Sequence, residues 1–256
     1  MKNNYLCIIQ ARISSTRLPG KVLKKVNGIT LLEYEIKRVK KSKKIDKIVI
    51  ATSDKKVDDI IERFCKKISI NCFRGSEEDV LDRYYQCALK YPKFKNIIRV
   101  TGDCPLIDSK VIDKVLVFFE KGKYDYASNV LEETYPDGMD IEVFSKPALE
   151  DAARNAMLLS EREHVTLYIR NNKKFKKGSI KAKKDYSGFR LTVDNQDDLA
   201  IIRFLIKNTE PNANFLDYIS LLTKNPKIML KNMHIIRNEG LLKSLKEDKI
   251  VKFFKS

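Results

Sequence analysis

Lys21 closes a stretch, Ala11-Arg12-Ile13-Ser14-Ser15-Thr16-Arg17-Leu18-Pro19-Gly20, that carries two arginines, hydroxyl side chains and a Pro-Gly turn. The stretch follows an apolar run, Tyr5-Leu6-Cys7-Ile8-Ile9, whose composition predicts a buried first strand. Phosphate binding is the chemistry such a loop suits. Backbone N–H groups and guanidinium forks match phosphate oxygens, and a lysine adds a point charge. Neither G-x-x-x-x-G-K-[ST] nor G-x-G-x-x-G occurs here, which excludes the P-loop and the dinucleotide fingerprint. A basic surface turn is the simpler alternative. The position after a first buried strand speaks against it, because α/β folds hold ligands there.

Two carboxylates stand at comparable places further on. Asp103 follows an apolar strand, in Thr101-Gly102-Asp103-Cys104-Pro105, and Asp194 ends another, in Val193-Asp194-Asn195. Together with a phosphate-binding loop they predict a Mg²⁺ site, since this ion needs only one or two carboxylates beside substrate phosphates and water. Each has a plainer reading. Asp103 suits a turn or cap, with Gly102 permitting an unusual backbone, and Asp194 suits the N-cap of the next helix. Arg12, Arg17 and Lys21 are expected on a triphosphate, with Lys21 or Arg17 stabilising charge on the α-phosphate and the departing pyrophosphate. Asp137, Asp140 and Glu142 would line an acceptor pocket or a solvated hairpin. His164 would touch the acceptor or serve the structure, and Asp82 with Arg83 would be an ordinary helix pair. Neither a Ser/His/Asp nor a Cys/His nucleophile set is visible, which fits direct displacement at phosphorus.

Positioning these residues requires alternating elements. Strands are expected at 47–52, 68–73 and 97–101, and helices at 31–40, 57–64 (capped by Ser53 or Asp54), 79–89 and 111–119 (capped by Ser109 or Asp108). This alternation predicts βαβ units and a mainly parallel sheet. Beyond about residue 124 the pattern changes. Strand-like runs at 124–129 and 139–144 flank the turn Tyr135-Pro136-Asp137-Gly138. Helices follow at 147–157 and 161–169, a strand at 189–193 and a helix at 197–206. One domain over 1–224 with an inserted element at about 125–190 is expected, then a helical extension over 225–256.

The 256 residues carry 51 basic and 34 acidic side chains, a formal charge of +17, and are 43% hydrophobic. A surplus of this size raises nucleic-acid binding as an alternative function. The lysines are scattered, however, and the densest run, Lys173 to Lys184, reads as a solvated loop or edge hairpin. No apolar run approaches the roughly 20 residues needed to span a bilayer. The first residues lead straight into a strand, so a cytoplasmic protein without signal peptide is expected. Five cysteines without C-x-x-C pairing are expected as free thiols.

The sequence resembles the cytidylyltransferases that make CMP-activated sugar acids, the 3-deoxy-manno-octulosonate and acylneuraminate enzymes being the best known. The likeness rests on Gln10-Ala11-Arg12, Ser15 to Lys21 and Gly28. It is closer to the spore-coat polysaccharide biosynthesis branch (protein F). There it extends to Arg74-Gly75-Ser76-Glu77, Val80 to Tyr85, Thr101 to Asp108, Tyr135 to Gly138, Ser160 to Thr166, Leu191 to Asp194 and Arg237-Asn238-Glu239-Gly240. The resemblance implies a Rossmann-like nucleotidyltransferase fold whose inserted element serves substrate binding and dimer contact, so a homodimer. It also implies CMP transfer from CTP to a sugar acid or phosphorylated acceptor, a small anion, with loss of pyrophosphate. Residues matching Asp103 and Asp194 bind magnesium in the sugar-acid enzymes; Ala11, Arg12, Ser14, Arg17, Lys21 and Asp103 fall in the nucleotide site, with Arg74 and Ser76 near the base. The base- and sugar-contacting stretches of those enzymes are not recognisable, and Arg74 to Asp79 replaces one of them. GTP or UTP, with a sugar phosphate as acceptor, is therefore kept as an alternative.

Overall fold

The structure, a computed structural model, describes residues 4–248. The last stretch of the expected helical extension, 249–256, and residues 1–3 lie outside the described residues.

β1 (Tyr5–Gln10) is buried on both faces: Tyr5, Cys7 and Ile9 join one apolar cluster, and Leu6 and Ile8 the other. Near-continuous apolar composition is what a parallel strand covered on both sides requires. Beside it run β4 (Lys47–Ser53), β5 (Asn71–Gly75) and β6 (Asn96–Thr101), all parallel, in the order β5-β4-β1-β6. β8 (Glu142–Ser145) adds antiparallel to β6, β7 (Tyr126–Ser128) antiparallel to β8, and β9 (Lys177–Ser179) parallel to β7, completing a mostly parallel seven-stranded sheet. A small antiparallel pair, β2 (Lys25–Val26) and β3 (Ile29–Thr30), follows the first loop.

Helices α1 (Leu31–Val39), α2 (Asp59–Lys67), α4 (Ser109–Gly122), α8 (Gln196–Lys207) and α9 (Phe215–Thr223) cover one face. The other face is covered by α3 (Val80–Leu89), α5 (Lys146–Asn155) and α7 (Leu167–Asn171), with α6 (Leu159–Glu163) between the last two in the chain. The short α10 (Pro226–Met229) and α11 (Glu239–Lys246) follow. Asp108 caps α4, accepting from the Lys110 N–H, as the sequence suggests. The chain leaves β1 in one direction, through β4 to β5, and returns on its other side as β6. The crevice outside the carboxyl ends of β1 and β6 is therefore the switch point where such sheets bind ligands.

Four local expectations are corrected. Phe189 to Val193 is not a strand: both edges of β6 are taken by β1 and β8, and only Arg190 makes a single bridge, to Asp137. The run expected as one helix over 161–169 is two, because Val165 adopts φ 58°, a left-handed value that ends α6 and redirects the chain. The cap of α2 is neither Ser53 nor Asp54 but Asp58. Gly102 does not take a left-handed backbone. Its need is space, since a Cβ there would lie 2.8 Å from the Gln10 carbonyl oxygen, which accepts the Gly102 N–H.

Candidate active site

The loop after β1 is held in shape from a distance. Buried Asp58 accepts the Ile13 N–H at 2.7 Å with one oxygen, and its other oxygen takes the Ser53 hydroxyl and N–H. Gly20 at φ 66° turns the chain so that a short 3₁₀ turn, Lys21–Leu23, begins with the Lys21 side chain pointing inward, 8% exposed. Its ammonium lies 2.7 Å from Asp103 Oδ2 and 2.8 Å from Asp194 Oδ1. Burial opposes the Lys21 charge, but the two carboxylates outweigh it and hold the group above its ordinary pKa. Asp103, also opposed by burial, is drawn down to about 2 by Lys21. Three groups from the ends of β1, β6 and the 189–195 segment therefore meet at one point as a charged set.

Asp194 is not the cap of α8. Asn195 is, with its side chain accepting from the Asp198 N–H. Asp194 is left to face the cleft, one oxygen toward Lys21 and toward Arg17 at 3.1 Å, the other 2.6 Å from Arg190. Arg190 also pairs with Asp198 at 2.9 Å and with Asp137. Among the described residues, groups of three or more His, Cys, Asp or Glu able to hold a metal do not occur. Asp103 and Asp194 nevertheless converge on a single cation, the Lys21 ammonium, and offer only oxygen. This pair suits a hard divalent ion that completes its shell with phosphate and water.

A cavity of about 780 Å³ opens over this centre. Gln10, Ala11, Arg12, Ser14, Arg17, Lys21, Asp103 and Asp194 line it, as does Arg83. Arg83 departs from expectation. Asp82 binds Gln86 instead, and Arg83, 2% exposed, donates from Nη1 to the Ser76 carbonyl while its Nε has no hydrogen-bond partner. Burial, aided by the nearby Arg12, pushes its pKa down. A buried guanidinium without a carboxylate on it is a standing demand for an anion.

A second cavity of about 220 Å³ adjoins the first, sharing Arg17, Arg99, Asp103, His164 and Asp194 as walls. It contains Asp137, Asp140 and Glu142, so these three do come together around a pocket. Their charges are matched: Glu142 pairs with Arg99 and accepts from Tyr126 at 2.6 Å and Thr166 at 2.5 Å, and Arg237 holds Asp140 at 2.5 Å. Burial, only partly offset by Arg237, pushes Asp140 up to about 7. His164 donates to or accepts from Ser244 at 3.0 Å, and burial lowers its pKa. Arg170 also lines this pocket, its charge helping to hold Glu142 ionised, with no hydrogen bond or ion pair to its side chain among the described residues.

Arg74 and Ser76 are not brought to either cavity. Arg74 turns to Asp59, Glu62 and the carbonyls of Ser53 and Lys55, and the Ser76 hydroxyl accepts the Asp79 N–H at the start of α3. Arg83, Arg99, Arg170 and Arg190 are the residues that sequence reasoning missed. A signal existed for two of them: Arg99 interrupts the apolar run Ile97-Ile98-Arg99-Val100, and Arg83 sits with Val80, Tyr84 and Cys87 on the apolar stripe of α3.

Residues 6–242 match the cytidylyltransferase family. The chain is 39% identical to the spore coat polysaccharide biosynthesis protein SpsF of Bacillus subtilis over 88% of its own length and 96% of that protein. It is 33% identical to the 3-deoxy-manno-octulosonate cytidylyltransferase of Fusobacterium nucleatum over 46% of its length and 47% of that enzyme. Its fold matches the solved structure of a cytidylyltransferase from Leptospira borgpetersenii with a TM-score of 0.85 and 35% identity, covering 91% of this chain and 99% of that one. Sequence and architecture agree: the chain belongs to the cytidylyltransferase family and is a nucleotidyltransferase.

Proposed function

We propose that the protein transfers CMP from CTP to a small acceptor carrying one anionic group, releasing pyrophosphate, in the making of a surface polysaccharide or related glycan. The observation that carries the reading is the Lys21 ammonium held between Asp103 and Asp194 where the two cavities meet. The larger cavity, with its surplus of cations, takes the triphosphate. The smaller one takes the acceptor, whose charged group meets Arg170, the guanidinium there with no side-chain hydrogen bond or ion pair among the described residues.

The acceptor oxygen approaches the α-phosphorus from the smaller cavity while the bond to the β-phosphate breaks. A proton carried by that oxygen passes to water, and pyrophosphate departs along the side of Arg12 and Arg17. Lys21 shifts from the carboxylates onto phosphate oxygens, where its charge counts most as the displacement proceeds. Asp103 and Asp194 would hold Mg²⁺, which when bound neutralises developing phosphate charge. Cytosine as the base and a sugar acid or phosphorylated metabolite as the acceptor follow the family resemblance, as does a homodimer; a cytoplasmic setting is the expectation from the sequence.

Incubation with each of the four NTPs and a panel of sugar acids and phosphorylated acceptors, with Mg²⁺ and a pyrophosphate readout, tests this directly. CTP is expected to be the donor. Thermal shifts give a second view, since a ligand at 100 times its Kd stabilises by about 2.7 kcal/mol. If GTP or UTP shifts the melting point and supports turnover while CTP does neither, the cytidylyl reading is wrong.

A further inference from the structure

α11 borders both cavities, although nothing in the phosphate loop's chemistry calls for it. Ile236 and Glu239 line both, so the segment before and into this helix forms their common outer wall. It is fastened at several points: Arg237 to Asp140 and to the Tyr135 carbonyl at 3.0 Å, Asn238 to Glu133 at 2.7 Å, Ser244 to His164 and Glu163, and Asp248 to Ser160. Glu239, at the first turn, pairs with Arg17, one of the cations of the phosphate loop.

Positions 239, 242, 243 and 246 fall on one face of a helix, and these four residues of α11 border the larger cavity. The face therefore turns Lys243 and Lys246 toward it. Both are exposed and, among the described residues, neither carries a side-chain hydrogen bond or ion pair. The same cavity is lined by Arg12, Arg17, Lys21 and Arg83, the last more than nine-tenths buried with its Nε unpartnered. Among the described residues lining this cavity, cations outnumber carboxylates seven to four. Cations on facing walls repel one another unless a polyanion lies between them, which is what a triphosphate supplies.

We propose that Lys243 and Lys246 of α11 bind the terminal phosphates of the nucleotide, making the C-terminal helix a roof on the donor site, and that Glu239 keeps Arg17 occupied until phosphate replaces it. An exposed ion pair such as Arg17–Glu239 is weak, so a polyphosphate displaces it readily. The proposal rests on reading the larger cavity as the nucleotide site.

The probe is inorganic tripolyphosphate, which carries the charge of the donor without base or sugar, measured by calorimetry on the full chain at low salt. The double variant Lys243→Met/Lys246→Met is expected to bind it about tenfold more weakly than wild type, the sum of two partly exposed contacts. The charge-matched variant Lys224→Met/Lys227→Met, on residues that do not border the cavity, is expected to bind like wild type. Binding of CMP, which lacks the terminal phosphates, should stay unchanged in both. Equal tripolyphosphate affinity in wild type and the α11 variant, or equal losses in both double variants, overturns the roof while leaving the nucleotide reading intact. Failure of wild type to bind tripolyphosphate at all overturns both.

Discussion

The two cavities are neighbours with shared walls but opposite electrostatic habits. In the larger one, among the described residues, Arg12 and Arg83 stand without a carboxylate in direct contact, and α11 adds Lys243 and Lys246, also without ion pairs. In the smaller one, Arg99, Arg190 and Arg237 are each matched to Glu142, to Asp137, Asp194 and Asp198, and to Asp140. One region waits for charge to arrive from outside, whereas the other has settled its charges internally. A buried pair already matched contributes little binding energy to an anion and much rigidity to a wall. The smaller cavity is thus suited to selecting an acceptor by shape and hydroxyl pattern, with Arg170 left for a single charged group.

The contrast is sharpest if one arginine is removed from each region. Arg99→Met strips the ion-pair partner from buried Glu142 and should destabilise the fold by about 3–5 kcal/mol, even though Tyr126 and Thr166 remain on the carboxylate and the Arg170 charge remains nearby. Arg83→Met removes a buried charge that no carboxylate pairs with directly, so denaturant unfolding should find it as stable as wild type or more so while tripolyphosphate affinity falls. Matching stability losses in the two variants would erase the distinction between the regions.

Next in size is the junction between the cavities. Asp103→Asn and Asp194→Asn should each lower turnover at least about 100-fold, on the order of 2.7 kcal/mol of barrier. The double variant should be little worse, because the two act as one set around Lys21. If Asp194→Asn keeps near-normal turnover, the shared centre is wrong and Asp194 belongs only to the matched network of Arg190.

The smallest expected effect lies at the edge of the acceptor pocket. Asp140 has a folded pKa raised to about 7, above the ordinary carboxylate value, chiefly by burial. A raised carboxyl costs stability as pH climbs from about 4 toward 7, where the unfolded chain ionises it and the fold resists. Asp140→Asn should remove that slope. Its stability relative to wild type would rise by about 1–2 kcal/mol between pH 4 and pH 8, allowing for solvent reaching the Arg237 pair. A difference that stays flat across this range would mean that Asp140 titrates as an open surface acid.

Most of the sheet and the phosphate loop were legible because their signals are local. β1, β4 and β6 are apolar runs, and Arg12 to Lys21 follows one of them without interruption. Asp103 was legible as a strand-end residue; Asp194 was singled out through a strand that does not form, and it could be told from a cap only once Asn195 was seen in that role. What stayed hidden depends on contacts far apart in sequence. Arg74 looked like a ligand for the base until Asp59 and Glu62 claimed it, and Arg83 passed for half of a surface pair until α3 turned it inward. Phe189 to Val193 has strand composition, but it meets the chain just beyond β6, whose two edges are already taken by β1 and β8, which no local pattern can report.

Asp58 carries a consequence for how this site can drift over generations. It lies 45 positions beyond Ile13, outside every motif of the phosphate loop, yet its carboxylate fixes the loop's backbone at that residue. A lineage could preserve each arginine, hydroxyl and lysine of the loop and still lose donor affinity through one substitution at position 58. Its motif would look intact to any comparison confined to the loop. Inheritance of the loop's sequence and inheritance of its shape are separate matters here, and the second is written on the neighbouring strand's exit.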